Sequence, residues 1–280
     1  MSRSRDFLAL TKPRVVLMVL VTTSVGFYLG SPWQPDWLPL LPTLLGTALA
    51  AGGTVALNQY LEREVDGMME RTRRRPLPER RLRPGEALWF GAGITVAGLL
   101  LLIAVRPLAS LVTAATVGLY LFAYTPLKRK SPLCLLVGAV SGALPPVTGW
   151  VAARGEVGIG GWVLFGILFL WQLPHTLAIA RLHQDDYARG QIRLLPENRA
   201  AAESQALAGS LALLVVGLLP TAIGLTGQVY LVGAVALGVG LLGCGVLQAL
   251  SPSLAAARRL LFASLLYLPT LLILMTLDKA

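Results

Sequence analysis

Ala87-Leu88-Trp89-Phe90-Gly91-Ala92-Gly93-Ile94-Thr95-Val96-Ala97-Gly98-Leu99-Leu100-Leu101-Leu102-Ile103-Ala104-Val105 carries no charged residue along its whole length. At about 1.5 Å of rise per residue, such a run forms a helix long enough to cross a hydrocarbon core of roughly 30 Å. Working outward in both directions, the pattern repeats. Apolar runs lie near 14–31, 38–60, 86–105, 107–125, 133–153, 158–180, 204–227, 229–249 and 256–276. Composition agrees with membrane burial: 55% of the 280 residues are hydrophobic and 14% are charged, against about 25% charged in a soluble domain. The first run has the basic flanks of a signal peptide, but eight more follow, so it reads as a retained first helix. The expectation is an all-α polytopic membrane protein, about nine transmembrane helices around a central cavity, forming a single domain over residues 1–280.

Charge sets the orientation. All but three of the 24 Lys and Arg residues fall on one side of this layout, the exceptions being Arg106, Arg154 and Lys279. Basic residues are retained on the cytoplasmic face, so the N-terminus is expected in the cytoplasm and the protein in the inner (plasma) membrane, in contact with lipid. The net charge of +10 could suggest nucleic acid. Its placement between apolar spans suits a membrane face instead, and no nucleic acid is expected. Cys134 and Cys244 each sit inside an apolar run and read as packing residues, without a disulfide framework or metal motif. The two long loops, about 61–85 and 181–203, share the basic side and follow the second and sixth spans. That placement suggests two four-helix halves of one orientation plus a ninth helix.

Ionisable residues at a membrane helix end are costly unless they pair, so they mark candidate sites. Asn58, Glu62 and Asp66 stand at i, i+4 and i+8, along one helix face and about 6 Å of rise apart. Oxygen ligands in a row suit Mg²⁺ bound to substrate phosphates. Arg71, Arg73, Arg74 and Arg75 follow directly, as phosphate donors. Acids beside bases suit a metal-bound diphosphate, although the same pattern also fits a solvated, salt-bridged helix end. Tyr60 and Met69 read as packing residues. A second cluster, His183-Gln-Asp185-Asp186-Tyr187, occupies the equivalent loop of the second half. Alone it is an ordinary polar loop; facing the first, it could share a diphosphate through two metal ions. Tyr124 and Lys128 end the fourth span, where an interfacial Tyr and a snorkelling Lys are common; Arg129 adjoins them. His175 lies within the sixth span and fits either helix packing or heme contact. Trp171, one turn earlier, suits a carbocation-facing ring or lipid-side packing. Pro145-Pro146 is expected to break the fifth span and bend it around a cavity.

The run from Asn58 to Leu77 resembles the heme O synthase branch of the UbiA-type intramembrane prenyltransferases. Met69, Arg71, Thr72, Arg75, Pro76 and Leu77 fall in register with its Met-x-Arg-Thr-x2-Arg-Pro-Leu. Tyr124 and Lys128 match the superfamily's Tyr-x3-Lys. Gly142-Ala143-Leu144-Pro145-Pro146 with Gly149-Trp150, Trp171-Gln172-Leu173-Pro174-His175, Asp185-Asp186-Tyr187 and Leu195-Pro196 resemble further motifs of the branch, together covering roughly spans one to seven. Departures are Glu62 in place of Asp, Thr176 in place of Phe, Gly190-Gln191-Ile192-Arg193-Leu194 in the second loop, and Cys134 near a usual Asn. The resemblance implies transfer of a farnesyl group from farnesyl diphosphate to a vinyl carbon of heme b, with Mg²⁺, giving heme O. It implies metal binding by Asn58, Glu62, Asp66, Asp185 and Asp186, phosphate contacts from Arg71, Arg75, Lys128 and Arg129, and leaving-group assistance from Tyr124. Glu62's departure keeps the charge but lengthens the arm. The closest rival is the same fold with another acceptor, such as an aromatic acid or a different tetrapyrrole; the Trp171-Gln172-Leu173-Pro174-His175 stretch favours heme over it. A secondary transporter is a rival of a different class, though its ionisable residues belong near the midplane rather than gathered at one face. A purely structural membrane subunit leaves the paired acidic loops unexplained.

Overall fold

The structure, a computed structural model, describes residues 3–33, 36–194 and 199–280; Leu195-Pro196 of the second loop lie outside them. Among the described residues nine helices are long and apolar enough to cross a membrane: α1 (Pro13–Gly30), α2 (Leu40–Leu61), α3 (Pro84–Val105), α4 (Pro107–Leu127), α5 (Cys134–Arg154), α6 (Gly158–Leu182), α7 (Ala200–Ala222), α8 (Gln228–Leu250) and α9 (Leu254–Leu277). Prolines at the starts of α1, α3 and α4 open the helices where no N–H is needed. Outward-facing side chains such as Leu100, Val232 and Phe262 remain exposed and apolar, as a lipid-facing surface requires.

Consecutive helices pack in order from α1 to α6, α7 and α8 follow, and α9 closes back onto α8, α6 and α1. Small residues permit the tightest seams. A methyl group on Gly26 of α1 would overlap the Pro146 carbonyl, and one on Gly149 of α5 would overlap the Thr23 carbonyl. These two helices therefore meet backbone to backbone. Gly46 and Gly53 on α2 face Gly98 and Gly91 on α3 in the same manner. At the other membrane side from the long loops, Lys279 Nζ donates to Tyr28 O at 2.7 Å and Ser31 O at 2.8 Å, tying the chain end to α1.

Three expectations need correction. The seventh span begins earlier and ends at Ala222 instead of 227. Gly224 adopts φ +71° and Leu225 N–H donates to Pro220 O, so the chain turns while its residues are still apolar. Hydropathy is blind to such a stop. Pro145-Pro146 does not break α5, which runs unbroken from Cys134 to Arg154 with both prolines buried. Close contact with α1 supports it there. Finally, Asn58, Glu62 and Asp66 do not share one uninterrupted helix. α2 ends at Leu61, Glu62 sits at a junction with φ −96° and ψ 7°, and a short helix resumes over Arg63–Met68. The i→i−4 bonds nevertheless continue across the junction: Glu62 N donates to Asn58 O at 2.9 Å and Asp66 N to Glu62 O at 2.8 Å.

Candidate active site

The junction after α2 directs two carboxylates inward. Asp66 is 1% exposed, and its Oδ2 accepts from Arg75 Nη1 at 2.6 Å. Burial raises the Asp66 pKa, and the Arg75 guanidinium beside it pulls in the opposite direction. Thr72 Oγ1 donates to Asp66 O at 2.8 Å, folding the arginine-rich loop back over the acid. Glu62 accepts from Lys128 Nζ at 2.9 and 3.1 Å. Separating a buried pair of this kind costs about 3–5 kcal/mol unless a new partner replaces the lost one. Each pair neutralises a carboxylate that the fold takes largely out of water.

Lys128 reaches Glu62 through a local distortion. α4 widens into a π-helical turn over Leu119–Tyr124. Pro126 has no N–H to offer Phe122 O, and its ring would press on that carbonyl in a regular helix; the wider turn relieves both problems. Thr125 completes it. Its N–H and its hydroxyl both serve Tyr120 O, and its Oγ1 accepts from Asn58 Nδ2 at 3.0 Å. Tyr124 then presents its ring to Lys128, with Nζ 4.4 Å from the ring centroid. Thr125 is a site-building residue that spacing did not reveal, because its partner lies 67 positions away.

Lys12 is a second residue missed. It precedes α1 with φ +46°, a left-handed conformation disfavoured for side chains other than glycine. Burial, with Arg75 and Lys128 nearby, lowers its pKa to about 8. Its sequence context showed only one more basic residue on the cytoplasmic side. Its place among Glu62, Asp66, Arg75 and Lys128 exists only after folding.

The second acidic loop meets the first. Asp186 accepts from Glu70 N at 2.7 Å and Arg71 N at 3.3 Å, and Arg71 lies over the Tyr187 ring at 5.9 Å. Asp185 is exposed beside it. Arg129 reaches Gln191 Oε1 at 3.4 Å, and Arg193 N donates to Lys128 O at 2.7 Å. Met69 is buried and packs against Gly190, as a packing residue should. Among the described residues no three His, Cys, Asp or Glu side chains converge to hold a metal ion. The expected set of Asn58, Glu62, Asp66, Asp185 and Asp186 is therefore not assembled here. Lys128 and Arg75 hold two of its carboxylates, backbone amides hold the third, and Asp185 stands apart. The donor chemistry still suits Mg²⁺: all are oxygen ligands, and Asp66 Oδ1 is buried with no hydrogen-bond partner.

Next to this charged cluster, joined to it by Tyr120 and Tyr124 whose rings face Lys128, lies a cavity of about 430 Å³. Its walls are mostly apolar and include Tyr124, Pro145, Trp171, Gln172, His175 and Thr176. Gly142 leaves room for the Gln172 amide, which donates to Ala139 O and Leu168 O at 3.1 Å each. The Trp171 and His175 rings stack with centroids 4.5 Å apart. Both rings are braced by Ser264 of α9, another residue invisible to motif reading.

Comparison with known proteins shows which family and fold the chain is similar to. The model of the UbiA prenyltransferase family matches residues 19–266. A protoheme IX farnesyltransferase from Solibacter usitatus (strain Ellin6076) is 44% identical over 289 residues, covering 98% of this chain and 99% of its own. A digeranylgeranylglyceryl phosphate synthase structure superposes with TM-score 0.86 at 15% identity, over 99% of both chains. A UbiA homolog from Archaeoglobus fulgidus, bound to GPP and Mg²⁺, superposes with TM-score 0.68 at 14% identity, over 96% of this chain and 99% of that one.

Proposed function

Since the chain belongs to the UbiA prenyltransferase family, we propose that it transfers the farnesyl group of farnesyl diphosphate to a vinyl group of heme b, giving heme O. One observation carries the reading: a buried cluster of paired acids and bases adjoins an apolar cavity through Tyr120 and Tyr124, which line the cavity and face Lys128 with their rings. Such a site takes a ligand with a highly charged head and a hydrocarbon tail. The diphosphate stays at the charged cluster and the prenyl chain enters the cavity.

Mg²⁺, when bound, supplies positive charge that stabilises the departing diphosphate. Asn58, Glu62, Asp66, Asp185 and Asp186 would hold it. Lys128 and Arg75, which pair with Glu62 and Asp66, turn to phosphate oxygens as the anion arrives. Arg71 and Arg129 add contacts from the two loops, and Lys12 adds a further cation. Tyr124 hydrogen-bonds the leaving group beside Lys128. The allylic C–O bond then breaks and its electron pair leaves with the diphosphate. The apolar walls exclude water from the farnesyl cation until the vinyl carbon of heme b attacks it. Water adds to the resulting cation and loses a proton, completing a hydroxyethylfarnesyl group. Trp171 and His175 line the part of the cavity suited to the tetrapyrrole.

The Lys and Arg asymmetry supports a site on the cytoplasmic side of the inner membrane, with lipid around the spans. Contact between the two acidic loops supports an arrangement as two four-helix halves plus a ninth helix. The test is to incubate membranes containing the chain with labelled farnesyl diphosphate and heme b, then measure the product mass. Heme O is the expected product. Transfer to a different acceptor only, with heme b left unchanged, would overturn the assignment.

A further inference from the structure

Ser264 on α9 is fully buried and makes three polar contacts. Its hydroxyl donates to Leu261 O at 2.7 Å. Its backbone carbonyl accepts from Trp171 Nε1 at 2.7 Å. Its Oγ lies 2.9 Å from His175 Nδ1. A hydroxyl has a single proton to give. Directing that proton to Leu261 O leaves Ser264 Oγ to accept from Nδ1, the arrangement in which Nδ1 carries the imidazole hydrogen. An imidazolium here would need a carboxylate neighbour, and none pairs with His175 among the described residues. The ring is therefore neutral, and Nε2 holds a free lone pair.

We infer that His175 Nε2 is the axial ligand for the iron of a metalloporphyrin acceptor. The inference rests on the heme b reading above and deepens it. His175 lines the cavity with its Nδ1 edge turned away toward α9. Among the described residues Nε2 has no hydrogen bond. The chain has two histidines, and the other, His183, is exposed on the second loop, leaving one imidazole in the cavity wall. Trp171 stacks on His175 with 20° between the ring planes, fixing the direction of the lone pair. Binding forms one coordinate bond from Nε2 to an open axial position of the iron, and no proton or electron moves. The bond anchors the porphyrin centre while its vinyl-bearing edge faces the prenyl donor. A serine accepting from the non-ligating nitrogen plays the orienting part common around metal-bound histidines.

The full-length purified chain can be titrated with heme b and, separately, with metal-free protoporphyrin IX, which shares the ring and its substituents. Wild type is expected to bind heme b about 10-fold or more tightly than protoporphyrin IX, with a histidine-ligated absorption spectrum. His175→Ala should abolish that difference and the spectrum, with a much smaller loss of protoporphyrin IX affinity than of heme b affinity, and added imidazole should restore the spectrum. Ser264→Ala should weaken heme b binding alone, by about 10-fold. Equal wild-type affinity for the two porphyrins, or an equal loss for both in His175→Ala, overturns the inference. So does a spectrum unmoved by the substitution. If His175→Ala fails to insert, the wild-type comparison still decides. Heme O formation by wild type without an axial histidine signature defeats this inference alone, whereas no farnesyl transfer to heme b defeats the reading beneath it.

Discussion

The two acidic loops look alike as strings of charge, yet folding treats them differently. In the first, Asp66 is buried against Arg75, and Glu62 is largely covered and held by Lys128. In the second, Asp186 accepts two backbone amides of the first loop and Asp185 faces solvent. Charges out of water interact several-fold more strongly than exposed ones. The first loop is thus the place where an arriving ion or phosphate changes the energy most. The second, whose Asp186 accepts the Glu70 and Arg71 amides, also sets the position of the first loop.

The comparison breaks most readily at Asp66. Asp66→Asn keeps the shape but removes the charge, and farnesyl transfer should fall about 10³-fold in a variant still inserted in membranes. Wild-type turnover by this variant under saturating Mg²⁺ would place the charge outside the mechanism. Lys128→Met should come next, lowering kcat about 10²-fold, because Glu62 loses its counter-charge and the leaving group loses a cation. In the second loop, Asp186→Asn should raise KM for farnesyl diphosphate about 10-fold with a smaller change in kcat, as weakened docking loosens the first loop. Asp185→Asn in the same assay gauges whether an exposed carboxylate is drawn in by substrate. A loss as large as that of Asp66→Asn would erase the distinction between the loops.

The smallest effect concerns protons. Lys12 titrates near 8 in the folded chain, against an ordinary value of 10.5. Between those values the unfolded chain holds a proton that the folded chain has released, so this group makes stability rise with pH across that window. Its destabilising contribution is fully present below about pH 8. A bound diphosphate favours the charged ammonium and should draw a proton in near pH 8–9. Calorimetry in two buffers of different ionisation heat measures that uptake. Lys12→Met should abolish it, and an unchanged uptake would assign the proton to another group.

Features that follow from local spacing were legible in the sequence. The apolar runs marked the spans, and the Asn58, Glu62, Asp66 rhythm marked the carboxylates even though the helix restarts at Arg63. The remainder depends on partners far along the chain. Thr125 gains its meaning from Asn58, Ser264 from Trp171 and His175, and Lys12 from Arg75 and Lys128. The π-helical turn follows from Pro126, but a proline alone does not announce whether the chain will kink, stop or widen. Pro145-Pro146 makes the same point in reverse, since contact with α1 keeps α5 continuous.

That contact has a mechanical consequence. Where Gly26 meets Pro146 and Gly149 meets Thr23, no side chain lies between the two backbones to change rotamer. The seam has no slack and behaves as a fixed post. Any breathing that admits a flat, rigid ring must come from walls whose side chains can swing, so stiffening those walls should slow substrate exchange, while loosening the glycine seam should cost the fold itself.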